Sequence, residues 1–158
     1  MKINAKYFGS LSYDPEDLIY LPDGLFGFES YKNFLPLPFH ETTDSLLSFQ
    51  STDDETLSFI LMNPFRFFPD YSPVLSEKDK KDLNLTCEDD ISYYVICVLN
   101  ESLTDSTVNL KAPLAVNVRN RTGNRLFWTN LLTALNTQYL QTGGVNTMLI
   151  LQRKKGNH

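Results

Sequence analysis

A nucleophile needs a base beside it, and this chain offers little to build one from. His40 is the only internal histidine, the other being His158. A Ser–His or Cys–His pair would have to form around His40, which follows Pro38-Phe39 and precedes an acidic stretch. A lone histidine there reads as a surface or hydrogen-bonded residue. Cys87 and Cys97 make no Cys-x-x-Cys pair, and no His-x-x-x-His spacing completes a zinc ligand set. Cys97 lies within Tyr93-Tyr-Val-Ile-Cys-Val-Leu99 and reads as a small buried hydrophobe. The carboxylate runs Asp53-Asp54-Glu55 and Glu88-Asp89-Asp90 read as solvated turns, because neighbours on one loop cannot flank a substrate bond. After Gly24-Leu-Phe-Gly27 comes Phe28-Glu29, not a phosphate-binding lysine and a helix, so this is a turn with exposed rings. The expectation is no catalysis, no cofactor and no metal.

The side chains that stand out are aromatic. Asn63-Pro-Phe-Arg-Phe-Phe-Pro-Asp-Tyr-Ser-Pro73 sets four rings among three prolines in eleven residues. Proline fixes its own φ and biases the preceding residue toward extended geometry, so Asn63, Phe68 and Ser72 are expected to be extended. On such a backbone Phe65 and Phe67 point to one side and Phe68 to the other. One set can then anchor to a core while the other faces outward. The segment either closes a barrel end or offers a docking surface.

The elements that must hold these rings are mostly strands. Short apolar runs punctuated by turn residues predict an all-β, single compact β-barrel-like domain of short antiparallel strands with one or two short helices. An N-terminal hairpin is expected over Lys2–Phe8 and Leu11–Tyr13. Further strands are expected at 18–21, 33–39, 46–50, 57–62, 91–99, 107–110 and 114–118. The run at 91–99 is apolar on both faces and reads as a central strand. Ser76 as N-cap, with Glu77 and Asp79 in the first turn, predicts one helix reaching about Leu83. Asn120-Arg-Thr-Gly123 reads as a turn in which Gly123 takes positive φ.

Charge divides the chain. Residues 1–105 hold all 19 carboxylates and 7 Lys/Arg, a balance of −12, while residues 106–158 hold 7 Lys/Arg and no carboxylate. The acidic body would repel a phosphate backbone, so no direct nucleic-acid contact is expected. It suits a basic protein partner, or simply keeps the domain in solution. No run approaches a bilayer span and the first residues carry no apolar leader, so a cytoplasmic protein without membrane contact is expected.

Three segments in order carry a resemblance: Gly24-Leu-Phe-Gly-Phe-Glu29, Asn63-Pro-Phe-Arg-Phe-Phe-Pro-Asp-Tyr71 and Val108-Asn-Leu-Lys-Ala-Pro-Leu-Ala-Val-Asn117. Together with Met1-Lys-Ile, Lys6-Tyr-Phe-Gly9 and Asn117-x-x-Asn120-Arg-x-x-Gly123, they make residues 1–125 resemble the FliW family of flagellar assembly factors. The resemblance implies a non-catalytic barrel, monomeric when free, with two partners held one at a time. These are flagellin and CsrA, the regulator that represses flagellin translation. It also implies that secreting flagellin frees the factor to antagonise CsrA from outside the RNA site. A dedicated flagellin chaperone without a regulatory partner is the alternative. On the matched motifs, Phe26, Phe28, Glu29, Phe67, Phe68, Asp70 and Tyr71 are expected at the surface as partner-binding residues. Lys111-Ala-Pro113 is expected to shape a strand exit.

The chain is thus read as a domain over residues 1–126 and an atypical tail over 127–158. The tail lacks the family's Arg-His-Pro-like close. Its last residues, Met148-Leu-Ile-Leu-Gln-Arg-Lys-Lys-Gly-Asn-His158, resemble the start of CsrA itself. Thr142-Gly-Gly-Val145 can be encoded by a ribosome-binding sequence ahead of that Met. A reading-frame change into a following gene is therefore expected, with the tail poorly ordered or a poorly docked helix around Leu131–Leu135; a lineage-specific tail that docks on the barrel is the alternative.

Overall fold

The computed structural model describes residues 1–40, 43–66, 68–98 and 107–126. Phe67 and the 127–158 tail, on which sequence expectations fell, lie outside the described residues. The strands are β1 (Lys2–Ala5), β2 (Gly9–Ser12), β3 (Ile19–Tyr20), β4 (Asn33–His40), β5 (Thr43–Ser51), β6 (Ser58–Met62), β7 (Ile91–Val98), β8 (Thr107–Val108), β9 (Leu114–Asn117) and β10 (Thr122–Arg125); helix α1 spans Glu77–Asp82. β1 and β2 form the expected hairpin as a separate sheet. The others run β6-β5-β4-β3-β10-β9-β7, and β7 pairs back onto β6, so seven strands close a barrel. β8 extends the sheet from the last residues of β7.

Closure removes the exposed edges that short strands would otherwise present. It also explains the doubly apolar β7, which pairs with β6, β8 and β9. Pro36 and Pro38 fit inside β4 because the alternate residues Leu35 and Leu37 can serve the β5 ladder. The prolines then face the other edge, where short β3 pairs only with Asn33 and Phe34.

Alternate residues feed separate cores. Ile19, Phe34, Leu47, Phe49, Leu61, Leu114 and Val116 converge from around the ring and fill the barrel, with Phe34 stacked on Phe49 at 4.6 Å. Their sequence neighbours Leu46, Ile60 and Met62 point the opposite way, as do Val95 and Cys97, which alternate with Tyr94 and Ile96 along β7. That outer face is covered by Phe68, Tyr71 and Leu110, with Tyr7 and Phe8 of the N-terminal turn packed against it. A third cluster, Leu75, Leu83, Ala115 and Leu126, lies where the chain before and after α1 crosses β9.

Three details correct the sequence expectations. β3 and β10 pair in parallel, the exception among antiparallel neighbours. Arg121 holds this seam, donating from its guanidinium to the carbonyls of Asp17 (2.6 Å) and Leu18 (3.2 Å). Arg121, with φ 55°, is also the left-handed residue of the 120–123 turn. Gly123 instead sits in β10 because a Cβ there would meet Leu21 Cδ2 at 2.6 Å. The segment after Asn63 is not extended throughout: Pro64–Arg66 make a 3-10 turn. Proline is well placed to start such a turn, which Asn63 supports by accepting the Phe65 N–H at 3.1 Å.

Candidate functional site

Gly24–Glu29 forms a tight, self-braced turn. Gly24 has φ +64°, and a Cβ on it would lie 2.6 Å from the Glu29 Cα. Gly27 has φ +84°. Phe28 N donates to Leu25 O at 2.7 Å, and Gly27 N donates to the Glu29 carboxylate at 3.0 Å. That hydrogen bond, with one from its own backbone, holds the Glu29 carboxyl below the usual carboxylate range. Leu25 is buried and roots the turn. Phe28 is half rooted, 37% exposed and edge-on to Phe59 at 5.1 Å. Phe26, at the tip, is 77% exposed.

The second motif behaves differently. Asp70 is exposed, but Phe68 and Tyr71 are each 4% exposed, which corrects the expectation that they lie at the surface. The physical reason is the apolar outer face of β6 and β7, which needs cover. Tyr71 donates its hydroxyl to Leu110 O at 2.6 Å. Burial, then the neighbouring Tyr93, raises its phenol above the ordinary range, so it stays a donor. Among the described rings of this segment, the one that faces outward is Phe65, 41% exposed and edge-on to Tyr93 at 6.0 Å. Beside it Val74 is 73% exposed. Neither was among the site residues read from sequence. Val74 could have been suspected as an apolar residue stranded between Pro73 and the Ser76 cap.

The two motifs line separate grooves, and α1 contributes residues to both. On one side a groove of about 450 Å³ is lined by Phe26, Glu29, Asp23, Lys78, Asp82 and Arg125. On the other a groove of about 430 Å³ is lined by Phe65, Val74, Leu75, Leu85, Ile91 and Tyr93, with Lys80 and Glu88 at its margin. Lys80 meets Glu88 at 3.4 Å and Glu77 at 3.5 Å, which raise its pKa.

α1 buries none of its own residues, so its position depends on its ends. Ser76 caps the helix as the sequence predicts, and Asp79 completes a reciprocal capping box. Leu83 at the other end is buried, and its carbonyl accepts from the side-chain amides of Asn117 (2.9 Å) and Asn120 (3.0 Å). The Asn117-x-x-Asn120 pair is thus a clamp on the helix.

Among the described residues no group of three or more His, Cys, Asp or Glu is placed to hold a metal ion. Nor is any described helix long and apolar enough to cross a membrane. Burial pushes the Cys97 thiol up to about 12, whereas Cys87 is exposed.

Comparison with known proteins gives one consistent result. The sequence profile described as FliW protein matches residues 2–137, past the Phe127 boundary read from sequence. A flagellar assembly factor FliW of Geobacillus sp. (strain WCH70) is 37% identical over 130 residues, covering 82% of this chain and 89% of its own. That of Desulfitobacterium hafniense (strain Y51) is 39% identical over 126 residues, covering 80% and 82%. A crystal structure of the flagellar assembly factor FliW superposes with a TM-score of 0.74 at 33% identity, over 82% of this chain and 90% of that one. By sequence and by fold, this chain belongs to the FliW family of flagellar assembly factors.

Proposed function

We propose that the chain is a non-enzymatic cytoplasmic binder, monomeric when free, that holds flagellin. When released, it binds CsrA and relieves repression of flagellin translation. The observation that carries a docking role is Phe26, a large ring displayed on a glycine-fixed turn beside a groove over α1. An exposed aromatic on a rigid support loses little freedom on binding, which favours it as an anchor. The acidic body supports the second partner: held beside RNA-bound CsrA, its field opposes the phosphates without touching the RNA site.

Titration calorimetry with purified flagellin and with RNA-competent CsrA tests this reading. Both are expected to bind, CsrA more weakly as salt screens the surface charges, and flagellin is expected to displace CsrA. Binding of flagellin alone would leave a dedicated flagellin chaperone.

A further inference from the structure

We infer that Glu29 is a positioning residue: its carboxylate holds the turn that aims Phe26 at a partner and is not itself a partner contact. The inference rests on the docking role of this turn. A carboxylate exposed at the surface beside a displayed ring would ordinarily be read as a charged contact. Here one oxygen is already taken by the Gly27 N–H at 3.0 Å, and the exposed amide it satisfies belongs to the residue following Phe26.

The rest of the turn shows why such a tie is needed. Gly24 and Gly27 both take positive φ, conformations that glycine leaves as readily as it enters. Gly24 is confined by the Glu29 backbone, 2.6 Å from where a Cβ would be, but around Gly27, its chain neighbours aside, no atom of the described residues lies within 4 Å of that position. Sterics therefore fix the first glycine and leave the second open. The carboxylate bond supplies the missing restraint at Gly27. On the far side Lys32 reaches back to Pro22 O at 2.7 Å, closing the base of the loop. Phe26, 77% exposed, inherits its direction from these ties.

A glutamine at position 29 keeps an oxygen able to accept from Gly27 and removes the charge; alanine removes both. This separates positioning from contact. Glu29→Ala is expected to weaken flagellin binding about tenfold, and Glu29→Gln to retain most of the affinity. In a Phe26→Ala background Glu29→Ala is expected to cost nothing further, because its effect passes through the ring. Without any partner, exchange of the Gly27 amide followed by NMR is expected to speed up in Glu29→Ala and stay slow in Glu29→Gln. Additive losses, a Glu29→Gln as weak as the alanine variant, or a Gly27 amide indifferent to Glu29 would each overturn the inference. So would Phe26→Ala with wild-type affinity, even if the tie is real. If the wild-type chain binds no flagellin, the docking reading falls, and the Gly27 amide still reports whether Glu29 restrains the turn.

Discussion

The turn at Gly24–Glu29 and the segment Asn63–Pro73 are built from similar side chains, yet Phe26 is 77% exposed in the first while Phe68 and Tyr71 fall to 4% in the second. What lies beneath makes the difference. The turn closes on itself through the Leu25–Phe28 bridge and needs only Leu25 as its root. The proline-rich segment runs over the outer face of β6 and β7, where Phe68 and Tyr71 join one buried cluster with Ile60, Met62, Val95 and Cys97. Rings placed there are drawn down by the apolar area they share with that face. Rigidity alone therefore does not display a side chain; an already satisfied surface underneath does.

The sharpest way to break this contrast is to truncate the covering rings. Phe68→Ala is expected to cost about 3–5 kcal/mol, lowering the melting temperature by about 10 °C. Tyr71→Phe keeps the ring but leaves the buried Leu110 carbonyl without its donor, at about 1–3 kcal/mol. Thermal and urea unfolding measure both. Wild-type stability in Phe68→Ala would mean that the segment does not close the barrel.

Gly24→Ala comes next, at about 1–3 kcal/mol, since it meets both positive φ and the Glu29 backbone. Gly27→Ala meets φ alone in open space and is expected to cost about 1 kcal/mol. If the order were reversed, the turn would not be confined at its first glycine.

Much of this was legible in the residues. Period and punctuation located the hairpin, the strands and the Ser76 cap of α1, because those depend on local chemistry. The barrel expectation followed from many short strands needing hidden edges. The parallel β3–β10 seam was not legible, since it joins residues about a hundred positions apart through the Arg121 side chain. The burial of Phe68 and Tyr71 was open for a similar reason: alternation says that some rings point inward but not that the barrel's outside is itself apolar. Gly123 was read as a turn glycine when its constraint is Leu21, far away in sequence. Glu29 and Phe26 were found by motif, without the hydrogen bond that distinguishes their parts.

The displayed rings should behave in the opposite way from the covering ones. Phe26→Ala and Val74→Ser are expected to change stability by no more than about 0.5 kcal/mol. Phe26→Ala should nevertheless weaken flagellin binding, as read by calorimetry. A large loss of stability in Phe26→Ala would make it a packing residue and end the contrast between the two regions.

The smallest expected effect is that of the tail, and it decides whether Phe65 and Val74 are displayed at all. The groove they line shares Leu75, Leu85, Ile91 and Tyr93 with the cluster that contains Leu126, the last described residue. By Leu126 the fold is already tied off: that residue is buried and its N–H donates to Pro113 O at 2.8 Å. Removing residues 128–158 is therefore expected to leave the melting temperature nearly unchanged, as an out-of-frame tail should. The match of the family profile as far as residue 137 makes the gene itself the second arm. The Arg-His-Pro-like ending that the resemblance implies would then lie in a neighbouring frame. Sequencing of the locus is expected to show that ending in the other frame across residues 125–140. An intact single frame in close relatives, together with a fall of several degrees on truncation, would instead mean that the tail belongs to the fold and covers the groove. Phe65 would then be covered as Phe68 and Tyr71 are, and Phe26 would remain the most exposed described ring.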